Sequence, residues 1–255
     1  MSRPAPWLIT LLSLAAVLAV WVGATSGGLV SDLFLPGPGE VWDGLGELVQ
    51  DGYKGRSLLD HVGLSLMRVG LGFVTGALVG TLLGLGMGYA KAIDALAAPF
   101  VEFLRPLPQL AYLVLLIVWL GIGERSKITM LFLAALPVSA VAARDGVRNV
   151  PAERLRAARA LGATPWQVFL HVVAPSALPE ILTGARLALG VVYATLIAAE
   201  IIAGSSGIGW MILDAGRFLR SDYVFAGILV IGLMGIAMDR GLLLLERRVV
   251  HWGGR

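Results

Sequence analysis

Cysteine is absent from the 255-residue sequence, which removes disulfides, thiolate metal sites and cysteine nucleophiles from consideration. Histidine is almost as scarce: His61, His171 and His251 stand far apart, so there is no cluster from which a metal centre could be built. None of the three lysines, Lys54, Lys91 and Lys127, follows a glycine, so the phosphate-binding pattern G-x-x-x-x-G-K-[ST] does not occur. The nucleophile pattern G-x-S-x-G is missing too, and no histidines gather with acids, which argues against a membrane enzyme. Charge is thin: 15% of residues, against about 25% in ordinary soluble domains. The net charge of +3 is too small and too dispersed to point to nucleic acid. What is abundant is apolar surface, with 57% hydrophobic residues and a mean hydropathy of +0.83. That balance is expected of a chain solvated by lipid.

A hydrocarbon core of about 30 Å needs about 20 apolar helical residues. Six segments meet or approach this requirement: Trp7–Ala24, Gly63–Tyr89, Leu107–Leu120, Ile128–Ala143, Ala177–Ala203 and Tyr223–Leu245. The first is longer than the roughly 7–15 apolar residues of a secretory signal and is read as a helix. The third is short and begins beside Pro106 and Pro108. The fourth holds Pro137, which is expected to kink the helix without ending it.

With the N-terminus inside, the cytoplasmic segments carry Arg3, Lys91, Arg105, Arg144, Arg148, Arg154, Arg156, Arg159, Arg240, Arg247, Arg248 and Arg255. The outer segments carry only Lys54, Arg56, Arg125, Lys127, Arg217 and Arg220, while Arg68 and Arg186 fall near or within spans. The positive-inside rule therefore places both termini in the cytoplasm. It leaves an acidic loop outside, with Asp32, Glu40, Asp43, Glu47, Asp51 and Asp60. Residues 1–62 are read as a first span plus this loop, and 63–255 as a core of five further spans. Trp7, Trp21, Trp119, Trp210, Tyr223 and Trp252 fall near span ends, where aromatic rings anchor at the interface. Glycines recur every fourth residue at Gly72, Gly76, Gly80, Gly84 and Gly88, a ridge that lets another helix backbone approach. Packing within the subunit is the preferred use of that ridge, and a contact between subunits the alternative.

The stretch 149–175 between the fourth and fifth spans holds more than a connection requires. Pro151 suits a first helical turn and Glu153 its positive end. Gly162 follows good helix formers, where a left-handed terminating residue is expected. Thr164, Pro165 and Gln167 then spell an N-cap, a first helical residue and the far half of a capping box. The reading is two short helices joined at Gly162, the second ending before Pro175. They expose Arg154, Arg156, Arg159 and Trp166.

This stretch resembles the cytoplasmic signature of ABC importer permeases: Glu-Ala-Ala, three residues, Gly, nine residues, Ile-x-Leu-Pro. Ala157, Ala158, Gly162 and Pro175 match it, Val172 and Ala174 are mild replacements, and Arg156 stands where the family has Glu. The resemblance implies an all-α integral membrane protein with six transmembrane helices and the type I importer permease fold. It implies that Arg154, Arg156, Ala157, Ala158, Arg159, Gly162, Trp166 and Pro175 form the element that docks on an ATPase subunit. It further implies a bacterial inner-membrane location, two ATPase subunits, a second and identical permease copy and a periplasmic substrate-binding protein. The chain itself would be no enzyme and bind no cofactor; ATP and Mg would belong to the ATPase.

Three further segments resemble the taurine, sulfonate and nitrate branch of the family: RPLP at 105–108, WLGIGERSKI at 119–128 and PSALPEILTGARLALGVVYATLIAAEIIA at 175–203. Within it, ALPEILTGARLALG is most similar to taurine permeases, and GSSGIGWM at 204–211 fits the outer loop after the fifth span. The implied solute is a small sulfonate, taurine first, with nitrate, bicarbonate or another small solute as alternatives. Glu200, toward the outer end of the fifth span, is an expensive intramembrane acid. It is read as holding an outer gate by accepting hydrogen bonds from the glycine-serine turn that follows. Arg186 is expected to snorkel or to pair with a nearby acid. Gln109, Tyr112, Tyr193 and Thr195 are the polar candidates for lining a pathway. A self-powered secondary transporter is the competing class, but neither paired repeats nor several midplane ionisable residues support it.

Overall fold

A computed structural model describes residues 6–28 and 30–250. Arg3, His251, Trp252 and Arg255, which enter the sequence reading, lie outside them. Among the described residues regular structure is helical, apart from one isolated bridge between Tyr53 and Arg56. In order, the helices are α1 (Pro6–Ser26), α2 (Pro38–Gln50), α3 (Leu58–Tyr89), α4 (Lys91–Leu104), α5 (Gln109–Leu120) and α6 (Glu124–Arg148). They continue with α7 (Ala152–Ala160), α8 (Pro165–Val168), α9 (Ala174–Ala203), α10 (Ile208–Arg217) and α11 (Ser221–Val249).

Among the described residues five helical stretches are long and apolar enough to cross a membrane: Trp7–Ser26, Leu58–Tyr89, Glu124–Arg148, Pro165–Ile202 and Ser221–Val249. The sixth expected span takes another form. Leu107–Leu120 is realised as α5, whose 12 residues reach only about 18 Å. It meets α4 at a bend of 101°, and the pair together makes the sixth candidate crossing. Pro106 and Pro108 sit in that bend and supply no N–H to carry one helix into the next. A second correction concerns the end of the cytoplasmic loop. The helix that begins at Pro165 does not stop before Pro175; a π-helical turn, Phe169–Val173, carries it into α9. The Ala174 N–H bonds back to the Phe169 carbonyl, and this wide turn absorbs the donor that Pro175 lacks. By contrast, α6 passes through Pro137 unbroken, as expected.

The chain divides into two compact units, one up to Val62 together with Ser206–Gly232, the other Gly63–Ser205 together with the segment from Leu233. In the first, Trp21 stacks on Phe225 at 6.2 Å and donates to the Pro36 carbonyl, joining α1 to α11. The amphipathic helix α2 buries Val41, Gly44 and Leu48 and is tied down by Arg220 and Tyr223, both bonded to Glu47. A tight turn, with Lys54 at φ +48° and Gly55 at φ +78°, pairs Tyr53 with Arg56. It delivers Tyr53 Oη (2.8 Å) and Lys54 Nζ (2.5 Å) to Asp214 on α10. Burial and the bond to Asp214 push the Tyr53 phenol up; the Asp214 carboxyl, opposed by burial, is lowered by Lys54 and Tyr53. Behind this turn His61 is fully buried, accepts the Gly207 N–H at Nδ1 and stacks on Trp210. Trp210, Trp21 and Tyr223 are therefore engaged inside this unit, whereas Trp7 and Trp119 are exposed.

In the second unit α6 is the hub and the most buried of the spans. The glycine ridge of α3 packs on it: a methyl group on Gly76 would come 2.5 Å from the Phe132 carbonyl oxygen and 2.8 Å from Ala135 Cβ. Gly72, Gly80, Gly84 and Gly88 meet α6 in the same way. The ridge thus serves packing inside the subunit. Leu71, Val74, Leu78 and Leu82 on α3 are exposed, as suits a lipid-facing stripe. On the other side of α6, Gly184 of α9 abuts Ala142, and a core forms from Val69, Leu131, Ala135, Ala188, Val192 and Leu196.

Candidate functional site

The loop between α6 and α9 takes the shape that its capping residues dictate. Leu161 ends α7, Gly162 adopts φ +81°, and two bonds close the turn, Gly162 N–H to the Arg159 carbonyl and Ala163 N–H to the Ala158 carbonyl. This is the Schellman arrangement, for which glycine is the least strained residue. Thr164 then caps α8: the Gln167 N–H reaches Thr164 Oγ1 at 3.3 Å, and Gln167 Oε1 accepts the Thr164 N–H at 2.8 Å. Both expectations for this turn hold at the level of atoms.

Anchoring to the bundle comes from one face of the pair. Leu155, Ala158, Ala163 and Phe169 pack against Val147, Val150, Val168 and Val173. Phe169 meets Tyr89 edge-on at 5.0 Å and stacks on Trp166, and Arg154 reaches Ser176 at 3.2 Å. A cleft of about 340 Å³ lies beneath, lined by Tyr89, Val147, Leu155, Arg159 and Pro165 among others. Of the residues the sequence assigns to docking, Arg154, Arg156, Ala157, Arg159, Gly162 and Trp166 are exposed, while Ala158 and Pro175 are half-buried. The helix pair is thus held from below and bare above.

A second constellation lies on the side that the arginine distribution assigns to the periplasm. Arg68, with no exposed surface, donates through Nη1 to Glu200 Oε1 at 2.5 Å. Its Nε and Nη2 clasp both oxygens of Glu124 at 2.6 and 2.7 Å. Ser65 also donates to Glu200 at 2.7 Å, and Lys127 to Glu124 at 3.2 Å. Two cations and two carboxylates thus balance across α3, α6 and α9. Burying charge is tolerable only when it is paired and hydrogen-bonded in this manner. The planar guanidinium suits a two-acid clasp that a lysine could not make.

The sequence singles out Glu200, and two of its partners, Ser65 and Arg68, stand more than a hundred residues away along the chain. The sequence reading places Arg68 near or within a span and assigns no role to Glu124. An arginine inside an apolar, glycine-rich helix was the signal available. Arg186 behaves as expected of a span-end cation, bonding Asp239 at 3.0 Å with Glu246 at 3.8 Å. Thr195 is buried with its hydroxyl on the Val191 carbonyl, Tyr193 packs on the core near Gly235, and Tyr112 covers Leu113 and Leu116. Gln109 is half-exposed at the first turn of α5. Among the described residues no group of three or more acids and histidines could hold a metal.

Comparison with known proteins agrees with this architecture. The family model described as "binding-protein-dependent transport system inner membrane component" matches residues 72–251. The taurine transport system permease protein TauC of Escherichia coli is 42% identical over 95% of this chain and 88% of its own length. The putative aliphatic sulfonates transport permease protein SsuC of Bacillus subtilis is 36% identical over 96% and 88%. The nitrate import permease protein NrtB of Synechocystis is 30% identical over 94% and 88%. Among solved structures, the inward-facing MetNI methionine ABC transporter superposes with a TM-score of 0.61 at 23% identity, covering 75% of this chain and 95% of that one, which speaks for the fold. The helix content, the spans and these matches converge: the chain belongs to the inner-membrane permease components of binding-protein-dependent ABC importers.

Proposed function

We propose that this chain translocates a small sulfonate, taurine foremost, across the inner membrane as one of two identical permease copies. The observation that carries the reading is the 42% identity to a taurine permease over nearly the whole chain, against 30% for a nitrate permease. Two ATPase subunits would bind ATP and Mg and supply the energy, and a periplasmic binding protein would deliver the solute. The capped pair α7–α8 would be the surface on which the ATPase docks; its exposure and its rigid glycine turn support that role. The Arg68–Glu200–Glu124 cluster would hold α3, α6 and α9 together at the outer end, as a latch for the gate. The test is ATP hydrolysis by the reconstituted complex with its binding protein, measured with taurine, longer aliphatic sulfonates and nitrate in turn. Taurine is expected to stimulate most and nitrate least. Stimulation by nitrate without a response to sulfonates would overturn the solute assignment.

A further inference from the structure

Position 156 is where this chain departs from its family's signature, and the structure shows where that departure points. On α7 only Leu155 and Ala158 among the central residues are partly covered, and both belong to the packed underside. At about 100° per residue, Arg156 lies roughly 130° around the helix from that underside. Arg154 and Arg159 fall on the flanks, consistent with the bond of Arg154 to Ser176 and the place of Arg159 along the cleft. Arg156 shares the outermost stripe with Glu153, Ala157 and Ala160, all exposed. Ala157 and Ala160 are small, so a partner surface can come close to the guanidinium. No hydrogen bond or ion pair engages Arg156 among the described residues. The same helix pair also exposes two large apolar side chains, Leu161 (89%) and Trp166 (66%). An outward guanidinium on a helix pair that also exposes large apolar side chains fits an interface in which one carboxylate is desolvated on docking.

We propose that Arg156 recognises a carboxylate in the docking cleft of the partner ATPase, so that this permease selects an ATPase of acidic character at that contact. The proposal rests on the reading that α7–α8 is the ATPase-docking element. Helix α7 carries three exposed arginines against Glu153, so the charge it offers is positive. A cation facing a cation across such a contact would be repelled, and a neutral partner would leave Arg156 desolvated without a bond. Because the side chain is exposed and no hydrogen bond or ion pair holds it among the described residues, its replacement is expected to leave the fold intact.

The test measures binding of the co-expressed cognate ATPase subunit to the detergent-solubilised permease, with ATP-driven uptake alongside. Arg156→Glu is expected to weaken association about tenfold or more, and Arg156→Lys about threefold or less. Changing the facing ATPase carboxylate to Lys should restore binding to Arg156→Glu. Wild-type association should also fall more steeply than that of Arg156→Gln between about 0.1 and 0.5 M NaCl. Gly162→Val separates this proposal from the docking reading beneath it, since it distorts the whole turn. Should Gly162→Val lose the ATPase while Arg156→Glu binds as wild type does, the carboxylate proposal is overturned and the docking site stands. If both variants keep the ATPase and full uptake, the docking reading itself falls. A change in Arg156→Glu seen only as altered stability in anionic-lipid vesicles, with ATPase affinity unchanged, would assign the residue to headgroups and overturn the proposal.

Discussion

Arg68 has no exposed surface, and its charge is paired with Glu200 and Glu124. Removing one partner of such a pair leaves an uncompensated buried charge, a loss of about 3–5 kcal/mol. Glu200→Ala is therefore expected to destabilise the solubilised protein by an amount of that order. Glu200→Gln, which keeps an acceptor for Ser65 and Arg68, should lose less. Thermal unfolding of the two variants, with ATP hydrolysis and uptake in the assembled transporter, checks this. The latch role expects Glu200→Ala to hydrolyse ATP without matching transport, more so than Glu200→Gln. Wild-type stability and coupling in Glu200→Ala would contradict both the energetic argument and the role. The sequence showed that Glu200 was costly, because one acid in an apolar run is visible. It could not show that Arg68 answers it, since the pairing depends on how α3 and α9 pack.

At the scale of elements, the glycine ridge gives the sharpest contrast. Alanine at a helix interior position gains about 1 kcal/mol over glycine from backbone entropy. At Gly70 a new methyl group meets nothing within 4 Å, so Gly70→Ala should be neutral or slightly stabilising. At Gly76 it meets the Phe132 carbonyl at 2.5 Å, and overpacking of about 1–3 kcal/mol should outweigh the gain. Thermal unfolding of the two variants decides the matter; equal behaviour would mean that α3 and α6 can separate at no cost. The ridge was readable because a four-residue period of one residue type needs no tertiary information. So were α1, α3, α6, α9 and α11, where length and hydropathy suffice. The amphipathic helices α2, α4 and α10 do not show in the sequence reading because their 13, 14 and 10 residues are too short for the length and hydropathy test of a span. The π turn before Pro175 was hidden for another reason. Proline reads as a stop in sequence, whereas the π turn that holds Val173 in the core carries the helix through it.

For the molecule as a whole, the apolar side chains exposed on α1, α3 and α11 find their solvent in lipid, while the polar content is concentrated in loops, caps and paired charges. The chain belongs to the permease components of binding-protein-dependent ABC importers, so the energy for moving solute uphill is expected to enter through another subunit. The surface through which it would enter is the bare face of α7–α8. Had the chain been self-powered, Glu200 would be a natural coupling-ion ligand; instead it is engaged by a guanidinium and a hydroxyl. The most direct test of the central claim is solute accumulation in proteoliposomes. Permease alone is expected to show no concentrative uptake of taurine under a proton or a sodium gradient, and permease with its ATPase and binding protein should accumulate taurine when ATP is enclosed. Gradient-driven accumulation by the permease alone, without ATP or partners, would contradict the account.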